Sequence, residues 1–147
     1  MRIKKIRISG KADETVLSIT LKDILKYIDN PSSNQWKLLW IEGIGSYEES
    51  MLEFETKINE SPNGILFSYN ELIKLSDAMH QIIDLTLIAD LESEKLIRYD
   101  IDDMMYKNCK YVIELIDSCF WEFTSSEMKV VESMRQKIDG AVDEIVK

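Results

Sequence analysis

The stretch KYVIELIDSCFWEF, residues 110–123, constrains the fold more than any other part of the chain. Its β-branched and aromatic side chains suit a pleated surface and crowd a helix. It reads either as one long bulged strand or as two strands turning near Asp117 and Ser118, with the hairpin preferred. Either way the chain must build a sheet.

Other segments supply partners and a covering layer. IKKIRIS at 3–9 alternates Ile3, Ile6 and Ile8 imperfectly with cations, as an edge strand does. QWKLLWIEGI, closed by Gly43 and Gly45, reads as a buried strand that takes Trp36 and Trp40 into the core, and LTLIADL at 85–91 as a further strand. Three-to-four-residue spacing predicts helices at 20–29 behind Thr20, through YEESMLEFETKINES, and at 69–83. The last opens with the capping box Ser68-x-x-Glu71 and buries Leu72, Leu75, Met79, Ile82 and Ile83, with His80 at the border of that stripe. A second capping box, Thr124-Ser125-Ser126-Glu127, precedes Val130, Val131, Met134 and Ile138, and AVDEIVK reads as a frayed tail. The stretch 90–110 is acidic and irregular.

This order lacks the strict alternation and Gly-rich turns of a doubly wound sheet. The expectation is one α+β domain over 1–147, with 140–147 as its tail, in which a mixed or mainly antiparallel sheet packs against amphipathic helices on one side. A chain of 147 residues that is 45% apolar can close one sizeable core.

The charge is uneven. Arg2, Lys4, Lys5, Arg7 and Lys11 stand among the first 11 residues without an acid, so the net −9 of the chain becomes −14 over the rest. Such a body repels nucleic-acid phosphates and attracts basic partners. No apolar run is long enough to span a bilayer, and the charged N-terminus lacks the form of an export signal, so the expectation is a cytoplasmic protein bound to neither membrane nor nucleic acid. Cys109 and Cys119 are expected as reduced thiols, with Cys119 buried beside Ile116, Phe120 and Trp121 and therefore inert.

The chain carries no phosphate-binding glycine loop, dinucleotide fingerprint, HExxH or GxSxG, and one His with two Cys ten apart cannot fill a zinc site by themselves. No catalytic residue, metal or cofactor is therefore assigned. An unrecognised enzyme would have to use Glu114, Asp117, Glu122 or His80, and the carboxylates read better as a solvated strand face.

The runs SPNGILFSYNELIKLSDAMHQIIDLTLIA, RYDIDDMM and CKYVIELIDSCFWEFTSSE together resemble small bacterial immunity proteins of contact-dependent growth inhibition and other polymorphic toxin systems. The resemblance extends from about Trp36 to about Lys137. It rests most on Ser61-Pro62-Asn63-Gly64, on Tyr99-Asp100, and on Asp117-Ser118 through Trp121-Glu122. It implies a cytosolic antitoxin, without an active site, that binds a cognate toxin domain delivered by neighbouring cells. A nuclease toxin would be basic, which suits an acidic inhibitor. The alternative is an acidic binding or regulatory module unrelated to toxins. In either case the expected contacts are Glu49, Glu53 and Glu60 on one helical stripe and Asp100, Asp102 and Asp103 in a loop, with Tyr99 and Tyr106 as aromatic anchors.

Overall fold

The computed structural model describes residues 2–9, 17–45 and 50–144. The 110–123 stretch is a hairpin: β5 (Tyr111–Ile116) and β6 (Phe120–Ser125) pair antiparallel. Asp117 and Ser118 both take left-handed φ, 50° and 60°, which matches the twist of a tight hairpin turn. Neither is glycine, so bonds hold the tip. Cys119 N–H closes on Ile116 C=O (2.8 Å), Ser118 N–H reaches Ile83 C=O (2.7 Å) and Asp117 N–H reaches Asp84 Oδ1 (3.0 Å).

Around this hairpin run β1 (Lys4–Ile8), α1 (Leu21–Leu25), β2 (Gln35–Gly45), α2 (Met51–Asn59), β3 (Ile65–Phe67), α3 (Tyr69–Ala78), β4 (Met79–Asp90), α4 (Asp102–Asn108), α5 (Met128–Lys137) and β7 (Ala141–Glu144). The strands form one antiparallel seven-stranded sheet in the order β3-β2-β4-β5-β6-β1-β7. The fold is α+β, with a sheet packed against helices.

Helices α1, α2, α3 and α5 cover one face. Leu21, Ile24, Phe54, Ile58, Leu72, Leu75, Val131 and Met134 meet Ile6, Ile8, Trp36, Leu38, Ile41, Leu85, Leu87, Ile113, Trp121 and Phe123 in the main core. The two buried indole N–H groups are satisfied by Pro31 C=O (2.9 Å, from Trp36) and Ile19 C=O (2.8 Å, from Trp121). A second, smaller core lies on the opposite face, where α4 and the segment before it set Leu96, Met105, Tyr106 and Cys109 on Leu39, Ile88 and Val112. Helices thus lie on both sides, not one, because α4 is absent from the periodicity but covers Ile88 and Val112.

Several expectations are corrected. The helix over 69–83 stops at Ala78, and Met79–Ile83 starts a 12-residue strand. The Met79–Ile82 run can serve either period, and pairing of Gly43 with Ile82 and of Gly45 with Met79 decides it. Strand β1 is internal because Ala141–Glu144, expected as a tail, pairs along its free side. Trp40 is 44% exposed: Leu39 is an extra residue between the pairs Leu38–Leu87 and Trp40–Thr86, and this bulge turns Trp40 onto the second face. Helix α5 starts after Glu127, while Thr124 and Ser125 end β6. The N-cap expected at Thr20 and the box expected at Ser68 do form, and Asp23 makes the Thr20 cap a reciprocal box as Glu71 does at Ser68.

The outer edge of β2 beyond Leu38 has side chains in place of a strand. The Asn59 amide accepts Ile41 N–H (2.8 Å) and donates to Ile41 C=O (2.9 Å), and Glu55 accepts Gly43 N–H (2.8 Å). An edge so occupied is closed to strand addition. No helix among the described residues is long and apolar enough to cross a membrane.

Candidate protein-binding surface

The segment from Leu91 to Cys109 crosses the second face and is pinned from beneath. Leu96 and Met105 are buried, and Tyr99 packs on the small core while its hydroxyl donates to Lys95 C=O (2.7 Å). Arg98 is the main tie. Its guanidinium donates to Ser61 C=O (2.7 Å) and Ile58 C=O (2.8 Å), with longer bonds to Asn59 C=O (3.4 Å) and Ser61 Oγ (3.3 Å). Those carbonyls end α2, where the helix dipole is negative, and burial shifts the Arg98 pKa downward. The Arg98 N–H also donates to Asn63 Oδ1 (3.2 Å), so the Ser61–Gly64 turn and the 96–100 segment are stitched together.

What this scaffold presents to solvent is mixed. Ile97, Ile101 and Met104 are 37%, 60% and 47% exposed, interleaved with Asp100, Asp102 and Asp103. Asp102 and Asp103 occupy the first turn of α4 instead of a loop, where their charge also favours the helix dipole. Because Arg98 bonds the carbonyls on either side of Glu60, that exposed acid borders the same area, and Glu53 is exposed further along α2. Glu49 lies outside the described residues. Of the two expected aromatic anchors, Tyr106 is buried and Tyr99 is tied inward, so neither is free to enter a partner. The apolar contacts fall to Ile97, Ile101 and Met104, which the sequence offered only as breaks in an acidic run.

Beyond α4 a row of paired residues crosses the second face: Trp40, Thr86, Glu114, Glu122, Arg7 and Val142. The hairpin does bring Glu114 and Glu122 together, but as a half-buried cluster and not a solvated face. Tyr106 Oη donates to Glu114 Oε1 (2.8 Å), and Lys5 Nζ lies 3.8 Å from the Tyr106 ring centre and 3.9 Å from Glu122 Oε1. Arg7 pairs with Glu144 and covers the Phe120 ring at 4.0 Å. Burial, then a hydrogen bond with Glu144, pushes Glu122 up to about 7, and burial raises Glu114. The same bond from Glu122 lowers Glu144, helped by Arg7. Asp117 is apart from this cluster, exposed at the hairpin tip.

His80 is also apart. It sits exposed on β4 and, with Ser76, Gln81 and Ser118, rims a cavity of about 160 Å³ floored by Leu115 and Trp121 on the first face. The Ser118 hydroxyl there donates to Ile82 C=O (3.3 Å) and accepts from Gln81 Nε2 (3.2 Å). His80 and the carboxylates therefore face opposite sides of the sheet. Among the described residues no three His, Cys, Asp or Glu side chains are grouped as metal ligands. Cys109 is buried, and its thiol is pushed up to about 12 by burial. Cys119 is exposed, contrary to expectation, because it stands in the hairpin turn beyond the last strand pair.

No family model, curated protein or solved structure matches this chain.

Proposed function

We propose that the protein acts by binding a basic protein partner on the surface made by Ile97, Asp100, Ile101, Asp102, Asp103 and Met104, with Glu60 at its margin, and that it serves as the cytoplasmic immunity protein of a toxin. The observation that carries the reading is three exposed apolar side chains set among acids on a segment held rigid by Arg98. A surface fixed before binding spends little ordering entropy on association, and an apolar centre with a charged margin is the composition of a specific interface. The acids supply steering toward a basic cleft, and the apolar side chains supply retention. The resemblance to immunity proteins names the partner as a toxin domain, and acidity suits a nuclease.

The test is co-expression with the product of the adjacent upstream reading frame. The expected result is that this product alone kills the host, that the present chain rescues growth, and that the two co-purify. A harmless neighbour that still binds would favour a binding module unrelated to toxins. A lethal neighbour that neither binds nor is neutralised would overturn the immunity reading.

A further inference from the structure

We propose that Glu122 and Glu144 form a proton-operated clasp that fastens strand β7 to the sheet, closed while the two share a proton and loosened when it leaves. Among the described residues strand β7 is an edge that pairs with β1 alone. Glu144 stands opposite Lys5 on β1, and Lys5 opposite Thr124 on β6, two residues from Glu122 on the same face, so the carboxyl groups meet across β1.

The groups facing this contact are Lys5 and Arg7 from β1, Glu114 from β5, and Tyr106 with Asp102 from α4. Lys5 is beside Glu122, Arg7 is paired with Glu144, and Glu114 takes the Tyr106 hydroxyl. Among the described residues, three half-buried carboxyl groups thus face two cations, with the exposed Asp102 nearby. With a proton on Glu122, its O–H donates to the Glu144 carboxylate, which Arg7 also pairs. When that proton passes to solvent, Glu122 and Glu144 are both anionic and the contact between β6 and β7 becomes repulsive. On the other face of β7, Asp143 lies 3.5 Å from Lys4 and 3.8 Å from Arg135, and Lys4 also pairs with Glu132 (3.2 Å). Those pairs involve no shared proton and keep the strand nearby when the clasp opens.

The sign follows from Glu122, which is pushed up to about 7 when closed; opening withdraws the Glu144 hydrogen bond and charge, both of which raise it, and leaves its burial on β6 in place, so its pKa falls on opening. The closed form holds a proton that the open form gives up, so closure is most favoured in acid and is progressively lost as pH rises through this window. Between pH 6 and pH 8 the opening equilibrium of β7 should rise, by at most about tenfold.

The experiment is amide hydrogen exchange on the whole protein at pH 6 and pH 8, corrected for intrinsic exchange. Protection over 141–144 should fall severalfold, at most about tenfold, at the higher pH while β5 keeps its protection. In Glu122→Gln, whose neutral amide donates to Glu144 at either pH, β7 should be equally protected at both. Equal protection of wild-type β7 at both values, or an unchanged fall in Glu122→Gln, overturns the clasp. Carbon-13 titration of the wild-type side-chain carboxyls decides independently of any variant: a Glu122 midpoint near 7 supports the clasp, and one in the ordinary glutamate range overturns it.

Discussion

Replacing Arg98 by Ala should loosen the acidic segment more than any other single surface change. The guanidinium makes two short bonds, 2.7 Å to Ser61 C=O and 2.8 Å to Ile58 C=O, and neither partner is a carboxylate. Bonds from a charged donor contribute about 1.5–3 kcal/mol each. Water reaches part of this residue and would re-satisfy some of the freed carbonyls, while the dehydrated guanidinium itself carries a cost that alanine removes. The net loss should be about 2–3 kcal/mol, read as a lowered urea midpoint at neutral pH with an unchanged slope. Arg98→Lys keeps the charge but cannot reach two diverging carbonyls with one planar fork, so it should recover less than half of the loss. Exchange of the 96–104 amides should rise in both variants, and partner association should slow. A loss below about 0.5 kcal/mol, or full recovery by lysine, would mean that the segment is held by Leu96 and Met105 packing and that Arg98 is incidental.

Leu75→Ala removes a fully buried side chain at the contact of α3 with the sheet, and should lower stability by about 2–5 kcal/mol in chemical denaturation. A thiol reagent at pH 8 should label Cys119 quickly and leave Cys109 until the protein unfolds, as mass mapping of the modified peptides would show; the reverse order would place the hairpin turn wrongly. Asp102→Lys with Asp103→Lys should slow association with a basic partner and flatten its salt dependence, with no more than about 1 kcal/mol lost from the α4 N-terminus. The same double reversal at Glu53 and Glu60, further from Ile101, should do less, and equal effects would shift the centre of the surface onto α2.

The legible parts of this fold are those in which a local pattern meets no competitor. The Ser68 box and the Asp117–Ser118 turn form where the residues indicate, because capping and turn bonds close within a few residues. The parts misread are those decided by distant partners. Met79–Ile83 carries helical spacing, but β2 offers Met79, Gln81 and Ile82 strand pairing, across two register shifts, and strand wins. Trp40 has the composition of a core residue, and the bulge at Leu39 turns it out. The cations of β1 suggest an edge only if β7 is overlooked, and AVDE is too short and too acidic to announce itself as a strand. At the candidate surface the acids were legible and the apolar contacts were not, since Ile97, Ile101 and Met104 carry no periodicity by themselves and gain meaning only when Leu96 and Met105 are seen to be buried beneath them.

The acids show why charge alone could not locate a function. Composition gives 27 of them equal standing, but the structure divides them by what each one faces. Asp23 and Glu71 close capping boxes, Glu55 completes a strand edge, and Asp90 accepts the backbone N–H of Glu92 (3.0 Å) and of Lys110 (2.9 Å). Asp77, Glu92, Glu127 and Glu132 each have a cation of the chain within reach. Glu114, Glu122 and Glu144 are turned on one another and on Lys5, Arg7 and Tyr106. These groups have partners inside the molecule, so reversing one of them changes an internal contact as well as the surface. Asp100, Asp102, Asp103 and Glu60 differ, because among the described residues they make no side-chain bond to the rest of the chain, and they cluster around exposed apolar side chains. Helix α4 needs at most one or two acids for its dipole. Charge held at one place without an internal partner is a standing cost in self-repulsion, which a basic partner would relieve on binding.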